Sequence, residues 1–438
     1  MKSVIKVNLW LTVVCLMLSS CENAPEMAVF SDEIIIDAIQ TEPATIDISA
    51  NVEWTITVFQ SEELWLTVSP LQGKGDATIT LEAAENTEFA ERIAFIAITG
   101  EDVYTDTIKV VQAPTLDVVE KIEDEIFKQF CLDEYDHSPK DGKISKKEAL
   151  NAIEIKVKGM KISSLAGIEY FTNLRKLDCS DNKIKEIDVS KNRELRTLDC
   201  SINPISAIEV DELPKLSDLQ IHSTNIKKID VSKNVELYML ITSNSPITSL
   251  NVLENKELAV LLCSDNQLTD LDVSKNSKLL MLHCPNNKIS TLNLSMNPNL
   301  VNLWCNNQTG DNNKKLLTTL DMSHNKNLQI LSCAQNGITN LQLTNNPDLI
   351  QLRCEDNQLI SLDVRQNTKL VYLKCNDNKL KDNIDISNNK LLKDINIRNN
   401  QDITTIYVWQ GFDENCTSGV DGKIKCYEKD EHAKWVKK

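Results

Sequence analysis

The sequence predicts a multidomain chain: a small β-sandwich, a short helical cap, and a right-handed solenoid whose parallel strands form one concave sheet. Three observations predict it. A pattern of Leu, Cys and Asn recurs every 21 residues through the C-terminal half. Short alternating apolar stretches, broken by turn residues, fill the region from about residue 32 to 113. An apolar content of 41% with only 5% aromatics suits a core of many thin Leu, Ile and Val layers. At 438 residues the chain exceeds one ordinary domain. Its 47 basic residues stand against 64 acidic ones, a net charge of −17. A phosphate-backbone binder needs a clustered basic face, so nucleic acid is not expected as a partner.

The first residues address the chain. Lys2 and Lys6 precede an uncharged apolar run from Leu9 to Leu18, followed by Ser19, Ser20 and Cys21. A basic start with a short apolar core is a secretory signal, too short for a permanent span. The Leu-Ser-Ser-Cys ending resembles the lipobox of bacterial lipoproteins. That resemblance implies cleavage of residues 1–20 and acylation of Cys21. The expected location is the bacterial cell envelope, as an outer-membrane lipoprotein exposed at the surface and held to the membrane by its lipid. Residues 21–31 would be the lipidated tether.

Residues 32–113 predict seven short strands: 33–38, 44–49, 52–58, 64–69, 77–84, 93–99 and 104–112. Turn residues such as Gly73, Gly75 and Gly100 separate them, the spacing of a small Ig-like sandwich. Trp54, the run Trp65-Leu66-Thr67-Val68-Ser69-Pro70, Glu85-Asn86, Arg92 and Val111-Gln112 resemble a BACON domain. The resemblance implies a sandwich acting as a spacer or binding carbohydrate. Trp54 and Trp65 are expected in its core, with sugar stacking as the other use of such side chains.

Residues 114–154 predict a helical cap. Val119, Ile122, Ile126, Phe127 and Phe130 fall near helical spacing within 116–131. The following loop places Asp136, Asp141, Gly142, Ile144 and Glu148 much as an EF-hand does, but stretched by one residue. Calcium is the one cofactor this pattern admits, held by Asp136, Asp141 and Glu148. The other reading is a helix–loop–helix cap without an ion.

From residue 155 to 407 the repeat governs. Leu177, Leu198, Leu219, Leu240, Leu261, Leu282 and Leu303 are 21 residues apart. The series resumes at Leu331, Leu352 and Leu373 after seven extra residues near 309–315, and Ile395 is a last, drifting copy. One unit cannot bury its own apolar side, whereas stacked units share a continuous core. Leu177 and Cys179 lie two apart and point to the same side of a strand. Ile184, Ile187 and Val189 then carry the chain round the core. An asparagine (Asn182, Asn203, Asn266, Asn287, Asn336, Asn357 or Asn378) follows most strands, placed to satisfy buried backbone groups. This is leucine-rich-repeat spacing. With Cys in the strand and Asp-Val-Ser-x-Asn on the return, the repeats resemble cysteine-containing internalins. That implies surface adhesion or binding of a protein. Ile221 and Thr242 depart at the cysteine position, and Thr224, Ser245 and Gln308 at the asparagine position.

Eight cysteines share the strand position: Cys179, Cys200, Cys263, Cys284, Cys305, Cys333, Cys354 and Cys375. Parallel strands lie about 4.8 Å apart, but in register their Cβ vectors run side by side and do not converge on disulfide geometry. A buried ladder of free thiols is expected, and one-sided stacking cannot make a tetrahedral zinc site. Cys416 and Cys426, in the expected C-terminal cap 408–438, form either a disulfide or two more thiols.

Residues flanking the inward Leu face the concave surface. The early strands carry acids there (Asp178, Asp199, Asp218), and the last two turn basic (Arg353, Lys374). Between them Met239, Ile241, Val260, Leu262, Met281, His283 and Trp304 make an apolar strip. Such a patch on a charged face marks a protein-interaction site, and the opposite charges beside it are expected to orient the partner. A glycan bound by the sandwich or by Trp304 is the alternative. The five histidines are scattered without a nucleophile–base or metal spacing, so catalysis is not expected.

Overall fold

The computed structural model describes residues 25–38, 40, 42–60, 64–86, 91–114, 119, 122–137, 140, 142–381, 383–413 and 426–438. The chain divides into two compact units, Met1–Asp117 and Val118–Lys438.

In the first unit the alternating pattern folds as two sheets. The strands are β1 (Met27–Val29), β2 (Glu33–Ile36), β3 (Ala44–Ala50), β4 (Glu53–Phe59), β5 (Leu66–Ser69), β6 (Gln72–Lys74), β7 (Ala77–Ala83), β8 (Arg92–Gly100) and β9 (Asp106–Gln112). One sheet has the order β1-β3-β7-β5 and the other β2-β9-β8-β4-β6. All seven expected strands form. Two more were not foreseen: β1 lies in the presumed tether, where it pairs with β3, and β6 pairs with β4. Both are three-residue segments, too short to show alternation.

Ile79, Leu81, Ile96, Ile98 and Ile108 form the sandwich core, together with Trp54 and Trp65 at 2% and 3% exposure. Trp54 Nε1 donates to Gly75 O at 2.9 Å. A Cβ on Gly73 would stand 2.3 Å from the Trp54 ring, so this strand needs glycine for the close approach. Arg92 lies 5.1 Å over the Trp65 ring and donates to the buried Gln112. Gln112 in turn donates to Ala38 O and Ala84 O. The residues that carry the BACON resemblance are therefore core and clasp residues.

The second unit opens on α1 (Glu125–Tyr135) and α2 (Lys146–Asn151). The expected helix over 116–131 begins later, because Asp124 caps it by accepting from Ile126 N and Phe127 N. Phe127, Cys131, Ile144 and Ala149 cover the first end of the solenoid core. A parallel sheet of thirteen strands follows, from Glu154–Lys156 through the ten repeat strands Lys176–Asp178 to Tyr372–Lys374, then Asp394–Asn396 and Cys426–Glu428. Leucine stands beside leucine at each step, as in Leu261↔Leu282↔Leu303. The stacked architecture outlasts the repeat signature, since Ile395 pairs with Tyr427 inside the presumed cap. Phe412, with Trp409, Tyr427 and Trp435 at ring distances of 4.8–5.0 Å, closes this end.

Two asparagine ladders hold the turns together. In the first, Asn287 Nδ2 donates to Cys263 O and Cys284 O, and its Oδ1 accepts from Leu268 N. The second uses the asparagine of Ser-x-Asn: Asn276 donates to Val252 O at 2.9 Å and Asn255 O at 2.8 Å. Asn192, Asn234, Asn255, Asn276, Asn297, Asn325, Asn346, Asn367 and Asn389 all occupy this position with 0% exposure. The residue before the first-ladder position is left-handed, as at Asp265, Asn286, Asp356 and Asp377. Asp and Asn tolerate that conformation best after glycine.

Candidate protein-binding face

Each repeat turns Leu and Cys inward and its flanking residues outward, so the register decides what is presented. Met239, Val260, Met281 and Asn302 stand side by side on consecutive strands, as do Ile241, Leu262, His283 and Trp304. The apolar strip of the sequence is thus physically continuous. All but Trp304 are half-buried, and Trp304 is 40% exposed. Its indole stacks on His283, with centroids 4.6 Å apart and planes 17° from parallel. Such a stack fixes the ring in place and leaves its outer side for a partner. Burial holds the His283 imidazole below its ordinary pKa, so the ring is neutral at pH 7. Asn302 hydrogen-bonds the His283 ring and partly offsets the lowering, and Asn306 Oδ1 is buried with no hydrogen-bond partner among the described residues.

One row escapes a reading of strand positions alone. Tyr238 and Leu280, each immediately before a strand, are 49% and 40% exposed. They widen the apolar surface over the edge of the sheet. The periodic Leu signature hides them, because their outward direction depends on where the strand begins.

The charged flanks are less free than their sequence positions suggest. The Arg353 guanidinium donates to Glu355 through both Nε and Nη2, and Lys374 lies 3.7 Å from Asp394. Asp178 and Asp199 accept from the hydroxyls and amides of Ser180 and Ser201. The insertion forms a small antiparallel bridge, Thr309↔Lys315, and Lys315 Nζ binds the Asp356 carboxylate and carbonyl.

The remaining site residues divide as follows. The eight strand cysteines and Cys131 are buried and free. Burial pushes the thiols of Cys200, Cys284, Cys333 and Cys375 up to about 12, and raises Cys179, Cys263, Cys305 and Cys354 as well. They are packing groups without thiolate chemistry. In the cap loop, Asp136 Oδ2 accepts from Gly142 N, while Glu148 accepts from His137 N and from Ser145 N and Oγ. At least three of these four carboxylate oxygens are committed to the loop itself. These bonds tie the loop to its two helices; a carboxylate oxygen that accepts one hydrogen bond has a second lone pair, and Asp141, the third expected calcium ligand, is not among the described residues. Asp141, Cys21 and Cys416 lie outside the described residues, as does the side chain of Cys426.

Known proteins match each part. Residues 31–115 match the viral BACON domain family, and residues 172–215 match leucine-rich repeats in two copies. Among solved structures, an internalin (InlF) from Listeria monocytogenes aligns with a TM-score of 0.56 at 23% identity. That alignment covers 66% of this chain and 89% of that one. The functional domain of InlJ from the same species, described as including a cysteine ladder, aligns with a TM-score of 0.36 at 25% identity. It covers 61% and 76% of the two chains. No curated protein is significantly similar in sequence. The chain thus carries a BACON-type sandwich followed by an internalin-like leucine-rich-repeat solenoid. Among the described residues no helix is long and apolar enough to cross a membrane.

Proposed function

We propose that this is a surface-anchored, non-enzymatic binding protein that recognises a protein ligand on the concave face of its repeats. The observation that carries the reading is the in-register strip from Met239 to Trp304, widened by Tyr238 and Leu280. A contiguous apolar patch with an exposed, stacked tryptophan has the composition of an interface core. Acylation of Cys21 would hold the chain in the outer membrane, with the sandwich as a spacer. Trp54 and Trp65 are buried, so the glycan alternative rests on Trp304 or on other surface of the sandwich.

A photo-crosslinking residue at Met281, compared with one at the exposed Glu186 on the return side, tests the proposal in cells. Adducts with a protein from Met281 alone support it. Adducts from neither position, together with a glycan-array signal lost in Trp304→Ser, favour the glycan reading.

A further inference from the structure

The asparagine ladder between neighbouring repeats is regular over most of the solenoid and thins in one stretch, where other bonds such as Lys215 to Glu194 and Asn225 N to Ile205 O remain. At Asn266, Asn287, Gln308, Asn336, Asn357 and Asn378 the ladder amide both donates to the preceding repeat and accepts from it. Thr224 does neither: its hydroxyl bonds to Ile221 O in its own repeat and to Ser245 in the next. Ser245 Oγ reaches back only with long bonds, accepting from Thr224 N at 3.2 Å, donating to Ile221 O at 3.3 Å and lying 3.2 Å from Thr224 Oγ1.

Other losses fall in the same stretch. Leu213 takes the second-ladder place that Asn192 and Asn234 occupy, removing both of its donors. Lys183, Gln267, Lys288, Gln358 and Lys379 each donate a backbone N–H to the preceding repeat. Pro204 and Pro246 stand at the equivalent positions and have no N–H to give. The Thr242 hydroxyl, in a cysteine slot, is buried without a partner. The strand ladder itself continues through the stretch, as in Ile221 N to Ile241 O.

In a solenoid each repeat contacts only its neighbours, so stability is a sum of local terms, and the weakest junction opens first. We propose that Pro204–Pro246 is a seam at which the solenoid opens and bends, dividing it into two separately cooperative blocks. The seam includes Met239 and Ile241, the first strand of the apolar strip. Opening it alters the curvature offered to any partner, and the proposal holds whatever that partner is.

Hydrogen exchange read by mass spectrometry on the full chain, in rising sub-denaturing urea, tests it. Amides of Asp218–Gln220 and Met239–Ile241 should exchange at least about tenfold faster than those of Met281–His283 and Asn302–Trp304. The variant Leu213→Asn/Thr224→Asn/Ser245→Asn should slow the seam by about tenfold and leave the later strands within about twofold. Equal exchange of all these strands in the unmodified protein would overturn the seam, and that comparison needs no variant. An increase in protection spread evenly along the solenoid of the variant would overturn it too.

Discussion

At the residue scale, single positions reveal what each slot demands. Ile202 is left-handed, with φ 54°, at a position where most repeats place Asp or Asn. A β-branched side chain is strained there, by about 1–2 kcal/mol. Ile202→Asn should therefore raise stability by about 1 kcal/mol, seen as a higher urea midpoint with unchanged slope. Thr242→Val removes a buried, unpartnered hydroxyl while conserving shape, and should stabilise by about 1–2 kcal/mol in the same assay. The cysteines were legible: one position, always inward, in strands that cannot converge their Cβ atoms. Iodoacetamide at pH 8 should leave all nine described cysteines unmodified in the native protein and label them after unfolding. A disulfide-linked peptide pair from two strand positions would contradict the thiol ladder.

At the scale of elements, the period announced strands, core and first ladder together, because one 21-residue unit repeats the same burial. The second ladder was visible only as part of a resemblance. The Asn of Ser-x-Asn is a polar residue on a return segment, and nothing local says that it is fully buried. Its role appears when Asn297 is seen donating to Val273 O and Asn276 O. Asn297→Leu should cost about 1–3 kcal/mol, since two buried carbonyls lose their donors. Leu213 shows that the slot holds a leucine, so a smaller loss would assign the ladder to geometry more than to hydrogen bonding. The cap helices were read in kind but placed too early, since Asp124, not the apolar spacing, sets where α1 begins. The short strands β1 and β6 carried too few residues for any periodic signal.

At the scale of the whole molecule, charge is unevenly shared. Residues 25–117 hold Lys74, Arg92 and Lys109 against eighteen acidic residues, so most of the net charge resides in the sandwich unit. The concave strip belongs to the more nearly balanced solenoid. Its seven residues were readable from sequence because register follows the period. The His283–Trp304 stack, the Tyr238 and Leu280 edge, and the internal pairing of Arg353 and Lys374 were not, because each depends on side-chain direction. The central claim is that this strip binds without building the fold. It is tested most directly by the affinity of Leu262→Ser/Trp304→Ser for the partner crosslinked at Met281, measured beside its urea midpoint. The account predicts binding weakened by at least about a hundredfold with the midpoint nearly unchanged. Unaltered affinity, or collapse of the fold, would contradict it.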